Sequence, residues 1–300
     1  WSANSESDLA SYKLYSGTNV YPTTLLATIS AGTETYTNTG LTNGGGYYYR
    51  ISAVDNAGSE SSKSSDVLTT PKPQKYTVKT DGTGDYTVIQ TAINATTNGD
   101  TVLVYAGTYT ENINYNGKNI LLKSAEGPES TILIPSNSSI SVVRIINGET
   151  SDAFLSGFTI KDGGNLRGSA IKISGSSPII ENCIVKDCDN TTDGSFGAIT
   201  TSHALPEIRN CLVYNNTTGF YFDSQDPGTG PKIINCTVVN NSMGLQTGSS
   251  NGIPEIYNSI IYGNTNNSQG SLIITYSLVE GGFSGTGNIT SNPLFKDASN

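Results

Sequence analysis

Five side chains that recur at one position of a repeated segment have the chemistry to bind or transform a ligand. Lys172, Thr200, Tyr221 and Gln246 each lie between two inward-facing residues in successive copies, and Arg144 has the same place one copy earlier. Because alternate residues of a strand point to opposite faces, we expect all five to face outward as one row. Two cations, a hydroxyl, a ring and an amide suit carboxylates and sugar rings, so these five are the predicted ligand-binding residues.

Arg144 and Lys172 are also the candidates for catalysis. As neighbours in adjacent copies they could hold a uronate carboxylate, and Lys172 could act as a base if it lost its proton. Two ordinary cations on a solvent-facing strand explain the same pattern. Whether the protein is an enzyme therefore stays open.

Other reaction classes have weaker support in the sequence. A glycosidase needs two opposed carboxylates, but Asp223 and Asp226 share one turn with no clear partner from an adjacent copy. His203 is the single histidine, which argues against a histidine triad or a histidine-rich zinc site. The segment from Asp81 to Asp85 lacks the fuller calcium-loop pattern, so it is predicted to be a turn. We expect no metal or other cofactor; calcium stays open as an alternative, although no motif supports it.

An internal repeat supplies the elements that position the row. One phrase is written four times, beginning at Pro178, Pro206, Pro231 and Pro254, and its asparagines are 28, 25 and 23 residues apart. Such a period indicates a solenoid. The short runs around each asparagine alternate apolar and polar residues, which predicts strands that stack as a parallel β-helix.

The repeated asparagines are predicted to form the bends between strands. A left-handed backbone suits asparagine, and stacking would let the side-chain amides form a buried ladder. The ladder asparagines are Asn182, Asn210, Asn235 and Asn258. On this view the loss of Asn235 costs more stability than the loss of Asn241 in a later turn.

The cysteines that follow the bends are predicted to be buried free thiols. Cys183, Cys211 and Cys236 share one position, and parallel strands hold such residues about 4.8 Å apart, wider than a disulfide prefers. Cys188 aligns instead with Asn216, Asn241 and Asn264, which indicates a turn.

The first segment, residues 1–73, resembles a fibronectin type III module. The resemblance rests on the runs 12–15 and 47–54, on the closing run from Gly58, and on Leu41, placed six residues before Tyr47 as in a tyrosine corner. Trp1 matches the core tryptophan late in the second strand of that family, so the module is expected to be incomplete. An open sandwich edge invites strand addition, and a filament built by strand exchange is one alternative function.

Residues 74–300 resemble the pectin-lyase-like right-handed parallel β-helix proteins. The runs 81–86 and 107–111 are similar to pectin methylesterases, and a short amphipathic helix with Val88, Ile89, Ala92, Ile93 and Ala95 on one face is expected to cap the first coil. The catalytic aspartate phrases of the esterases have no counterpart here. The resemblance implies the fold and a polysaccharide groove on the outward row, but not the esterase activity.

Composition agrees with an all-β chain and limits the partners. Only 14% of the 300 residues are charged, and the net charge is −9. Without a basic block, nucleic acid and anionic membranes are poor partners, and membrane insertion is not expected. We expect a secreted or cell-surface protein that binds extracellular polysaccharide or is displayed on it, in an adhesive or structural role. The alternatives are a polysaccharide lyase acting on a uronic-acid glycan and self-association into a filament.

Overall fold

The computed structural model describes residues 1–164, 169–188, 196–223, 228, 230–248 and 252–295. The chain divides into two units, Trp1–Pro73 and Gln74–Asn300. The strands of the first unit are β1 (Leu9–Gly17), β2 (Leu25–Ser30), β3 (Tyr47–Asp55) and β4 (Val67–Thr69). They pair antiparallel in the order β2-β1-β3-β4.

The first unit supports the predicted sandwich in part, because one antiparallel sheet of it is present. Tyr12, Leu14 and Ile29 form its small buried cluster, and Trp1 packs edge-on against Tyr12 with the ring centroids 5.6 Å apart. The hydroxyl of Tyr47 accepts a 3.0 Å hydrogen bond from the backbone N–H of Thr42. This is the backbone contact that the predicted tyrosine corner requires.

The second unit begins with one strand, the helix and the strands of the first coils. These elements are β5 (Lys75–Val78), α1 (Ile89–Ala95), β6 (Thr101–Val104), β7 (Gly107–Thr110), β8 (Ile113–Asn114), β9 (Leu121–Ser124), β10 (Thr131–Ile134), β11 (Val143–Ile145), β12 (Phe154–Ser156) and β13 (Thr159–Lys161).

The remaining strands belong to the later coils. They are β14 (Ile171–Ser174), β15 (Ile179–Glu181), β16 (Ile184–Lys186), β17 (Ile199–Ser202), β18 (Glu207–Arg209), β19 (Leu212–Tyr214), β20 (Thr218–Phe222), β21 (Lys232–Ile234), β22 (Thr237–Val239), β23 (Met243–Thr247), β24 (Glu255–Tyr257), β25 (Ile260–Tyr262), β26 (Asn266–Gln269), β27 (Ile273–Thr275) and β28 (Leu278–Val279).

Successive coils contribute their strands to three parallel sheets, which confirms the predicted right-handed parallel β-helix. The nine-stranded sheet runs from β5 to β27, the eight-stranded sheet from β7 to β28, and the seven-stranded sheet from β8 to β26. Inward-facing side chains of all three sheets fill one continuous core. Phe220 and Phe222 stack within it, with centroids 5.9 Å apart and planes 10° apart.

Helix α1 covers the first coil as the sequence predicts. Ile89, Ala92 and Ile93 are buried against the core. Val88, which precedes the helix, and Ala95 at its end are exposed, so these two members of the predicted face are wrong. The carboxylate of Glu111 accepts hydrogen bonds from the backbone N–H groups of Ile89 and Gln90, at 2.8 and 2.9 Å. A negative charge at this end of a helix is favourable, because the first N–H groups there have no partner within the helix.

The repeated asparagines make the bends between the nine-stranded and eight-stranded sheets. Asn182, Asn210, Asn235 and Asn258 have φ of 54°, 54°, 52° and 49°, which confirms the predicted left-handed backbone. Their side chains are exposed, so the predicted buried amide ladder at these positions is wrong. Because the residue directly after each bend points into the core, the bend residue itself projects towards solvent.

The buried ladder lies one bend further along each coil. Asn216 Nδ2 donates to Asn241 Oδ1 at 3.0 Å, and Asn241 Nδ2 donates to Asn264 Oδ1 at 2.9 Å. The backbone N–H of Cys188 donates to Asn216 Oδ1 at 3.0 Å, so Cys188 does occupy the matching place in its coil. The repeat indicates which positions are equivalent in successive coils, but the predicted ladder was placed at the bend asparagines instead of at these buried ones.

The cysteines are buried free thiols, as predicted. Cys183, Cys211 and Cys236 follow successive bends and point inward, with Ser259 in the same column. Cys188 is also buried and free, and burial raises the pKa of its thiol to about 12.

Candidate functional site

The predicted outward row lies on the seven-stranded sheet in the expected register. Backbone pairing places Arg144 beside Lys172, Lys172 beside Thr200, Thr200 beside Tyr221, and Tyr221 beside Gln246. Adjacent strands are about 4.8 Å apart, so each residue stacks directly on the next. The strand period of two and the repeat produce this register without any further information from the fold.

The row is not uniformly open to solvent. Thr200 is only 1% exposed and Tyr221 9% exposed, so these two outward positions are covered by other parts of the protein. Thr200 Oγ1 accepts a hydrogen bond from Ser169 Oγ at 2.7 Å and one from the backbone N–H of Gly197 at 3.0 Å. The segment at Gly197 therefore covers this part of the sheet.

Gly197 also contacts the next coil. A Cβ atom added at Gly197 would lie 2.6 Å from the backbone nitrogen of Tyr221 and 3.0 Å from its Cβ, so only glycine permits this approach. No sugar ring can enter between the two backbones. Because Tyr221 is only 9% exposed, its ring offers little surface for stacking on a ligand in this conformation.

Arg144 and Lys172 are the partly exposed cations of the row. None of the salt bridges between described residues includes either of them. The Lys172 Nζ atom lies 5.9 Å from the centroid of the Phe196 ring. Two adjacent cations that have no carboxylate partner among the described residues form a local positive site on a chain whose net charge is −9.

A second pair of stacked cations provides a contrast. Lys161 and Lys186 pair in register on the eight-stranded sheet. Each lies beside the carboxylate of the following residue, Asp162 at 3.3 Å and Asp187 at 3.5 Å. Each of these two lysines therefore has a carboxylate neighbour, whereas Arg144 and Lys172 have none among the described residues.

The other predicted candidates do not assemble into a site. Asp85 Oδ2 accepts hydrogen bonds from the backbone N–H and the hydroxyl of Thr77, both at 2.7 Å, and Asp81 bonds similarly to Thr83. These bonds lower the pKa of both carboxyl groups. They also give both aspartates a structural role in the turn. Over the described ranges, no cluster of three metal-ligating side chains is found.

The remaining two candidates are His203 and the pair Asp223 and Asp226. His203 lies in an exposed bend with φ of 46°, and its Nδ1 is 3.2 Å from Ser202 Oγ. Asp223 is partly buried at the end of β20, and Asp226 lies outside the described residues.

Sequence reasoning missed a groove of about 670 Å³ across the turns that lead into the nine-stranded sheet. Its lining includes Ser176, Ile179, Leu205 and Glu149. The buried Glu149 carboxylate accepts hydrogen bonds from Gly117 N at 2.9 Å, Asn147 N at 2.8 Å and Ser176 Oγ at 2.8 Å, and so joins three coils. The turns that build the groove differ between copies, so no repeated motif signals it.

The three parallel sheets, the fixed bends and the row on one sheet define a parallel β-helix protein with a candidate binding face. A profile described as "Right handed beta helix region" matches residues 129–278, half of the chain. The chain therefore belongs to the right-handed β-helix family.

Several solved structures are similar to this chain at low identity. Pectin methylesterase PemA from Erwinia chrysanthemi is 12% identical, with 73% of this chain and 81% of that chain covered and a TM-score of 0.50. The carrot pectin methylesterase is 15% identical, with 72% and 85% covered and a TM-score of 0.41. The Yersinia enterocolitica family 28 exopolygalacturonase is 13% identical, with 93% and 76% covered and a TM-score of 0.29. At these identities the likeness concerns the fold alone.

Two further findings concern this chain. No curated protein matches its sequence. Among the described residues, no helix has the length and apolar character that crossing a membrane requires.

Proposed function

We propose that this protein binds a uronic-acid-containing polysaccharide outside the cell, in an adhesive or structural role, through Arg144 and Lys172. One observation carries the proposal. The two cations lie on adjacent strands, and neither has a carboxylate partner in the described part of the chain. Carboxylates along a uronide chain offer the complementary charge, and hydrogen bonds between charged groups are the stronger kind.

Two further observations support this choice of ligand. The protein is acidic overall, so an anionic glycan should bind at a local cationic site rather than to the general surface. The β-helix neighbour with a TM-score of 0.50 is named a pectin methylesterase, which makes pectin the first glycan to test.

The decisive experiment compares two double variants by calorimetric titration with oligogalacturonate. Arg144→Gln/Lys172→Gln should weaken binding by about tenfold or more, since a hydrogen bond to a charged group contributes about 1.5 to 3 kcal/mol. Lys161→Gln/Lys186→Gln removes the same charge from adjacent strands of another sheet and should leave affinity within about twofold. Equal losses in both variants would show that only net charge matters and would contradict the proposed site.

The same titration separates binding from lyase chemistry. A binding protein leaves the glycan intact, whereas elimination across a uronide linkage creates a double bond that absorbs ultraviolet light. Rising absorbance with the wild-type protein, lost in Lys172→Gln while binding persists, would favour the lyase. Constant absorbance during prolonged incubation supports the binding role.

A further inference from the structure

We infer that the Arg144–Lys172 site takes about two sugar units, as a short acidic oligosaccharide or the end of a chain, and does not bind the interior of a long polymer. The inference rests on the proposed function and concerns the length of the ligand. Its basis is that the stretch of the row that carries Arg144 and Lys172 is bounded at both ends by contacts within the protein.

The first boundary follows Lys172 directly. Thr200 is the next residue of the row, and its hydroxyl is bonded to both Ser169 and Gly197. Gly197 then lies against the backbone of Tyr221 too closely to admit even a methyl group. A glycan that follows the row from Arg144 towards the later coils therefore meets protein after Lys172.

The second boundary lies one strand before Arg144. Asn114 pairs with Arg144 and belongs to β8, the last strand of the seven-stranded sheet. Beyond it, the Gln90 side chain of helix α1 donates to Asn114 O at 3.1 Å and accepts from Asn114 N at 2.7 Å. Gln90 thus occupies the hydrogen-bonding position of a further strand, and the row ends there.

The distance between the boundaries sets the size of the ligand. Asn114, Arg144 and Lys172 lie on three adjacent strands, which span two steps of about 4.8 Å each. A run of this length matches about two pyranose rings laid along the helix axis. The cations on consecutive strands can each reach the carboxylate of one ring, because both side chains are long and flexible.

The first test measures affinity against ligand length. Wild-type protein is titrated with galacturonate oligomers of one to six units, with Arg144→Gln/Lys172→Gln as the control for site-specific binding. Affinity should rise from the monomer to the dimer and then stay within about twofold, since the protein at both boundaries turns added units away from the row and they contribute little. Affinity that keeps rising through the tetramer and hexamer would overturn the inference and leave the proposed function intact.

The second test counts chain ends. A fixed mass of polygalacturonate is bound before and after partial hydrolysis to shorter chains. Binding capacity per unit mass should rise in proportion to the number of ends. An unchanged capacity would show binding along the interior and would contradict this inference alone, whereas failure to bind every uronide tested would overturn the proposed function as well.

Discussion

The side-chain amide of Asn241 donates a 2.9 Å hydrogen bond to Oδ1 of Asn264 and accepts one from Asn216 on the other side. All three side chains are buried, and each also bonds to backbone groups of neighbouring coils. This column connects the turns between the eight-stranded and seven-stranded sheets. It therefore contributes directly to the alignment of the strands that carry the candidate site.

Asn241→Ala should destabilise the β-helix more than Asn235→Ala. Asn241 Oδ1 is the acceptor for the buried backbone N–H of Asn216, which costs about 1 to 3 kcal/mol when unpaired. The Asn241 Nδ2 group also donates to Asn264 Oδ1 and to the Val213 carbonyl of the neighbouring coil, and both lose this donor. Asn235 is exposed, and its replacement costs only the left-handed backbone penalty of about 1 to 2 kcal/mol.

Urea midpoints followed by circular dichroism measure this difference. Asn235→Gly serves as the control, because glycine adopts the left-handed conformation without strain and should remain close to wild type. A midpoint for Asn241→Ala equal to or above that of Asn235→Ala would disprove the ladder assignment.

All four thiols should resist alkylation in the native protein and react fully after denaturation without reductant. The cause is burial, since Cys183, Cys188, Cys211 and Cys236 are at most 2% exposed and free. The raised pKa of Cys188 further reduces its thiolate fraction at neutral pH. Mass spectrometry after iodoacetamide treatment counts the modified thiols, and a missing adduct in the denatured sample would reveal a disulfide.

The first unit should lose stability as the pH falls below about 4.5. Hydrogen bonds from Lys13, Ser52 and Tyr15 lower the pKa of Glu60 from 4.5 to about 2. A lowered folded-state pKa stabilises the unit above the unfolded value, and this contribution disappears as the pH falls from about 4.5 through 2.

Trp1 provides the measurement for this pH effect, because it is the single tryptophan and packs on Tyr12 in the first unit. The denaturant midpoint of unfolding, followed by tryptophan fluorescence, should decrease as the pH is lowered in the wild type. The decrease should be smaller in Glu60→Gln. Glu6→Gln changes an exposed carboxylate of the same unit and should retain the wild-type slope. Parallel slopes in all three proteins would argue against a role for Glu60.

Lys172→Gln should weaken oligogalacturonate binding by roughly three- to tenfold at low salt and by less at high salt. The contribution is electrostatic and partly exposed, so it is screened as the Debye length shortens from about 10 Å at 0.1 M salt to about 3 Å at 1 M. Titrations of both proteins at the two salt concentrations give the comparison. A loss of affinity that does not depend on salt would indicate that Lys172 contributes by van der Waals packing rather than by its charge.

The sequence by itself determined the architecture and the register of the candidate row. The repeated phrase sets equivalent positions in successive coils, and the strand period of two assigns each neighbour to the core or the outer face. From those two facts follow the stacking of Arg144 on Lys172, the inward cysteines and the left-handed asparagine bends. These properties are local, because each depends on a few consecutive residues and on their repetition.

Only the tertiary structure decided which polar groups are buried. The ladder forms at Asn216, Asn241 and Asn264 because the bend asparagines project outward, although both sets recur with the same spacing. Thr200 and Tyr221 lie in the outward row but are covered, because Gly197 approaches the backbone of the next coil. Such coverage depends on contacts between residues distant in the sequence. A periodic pattern of apolar and polar residues cannot predict these contacts.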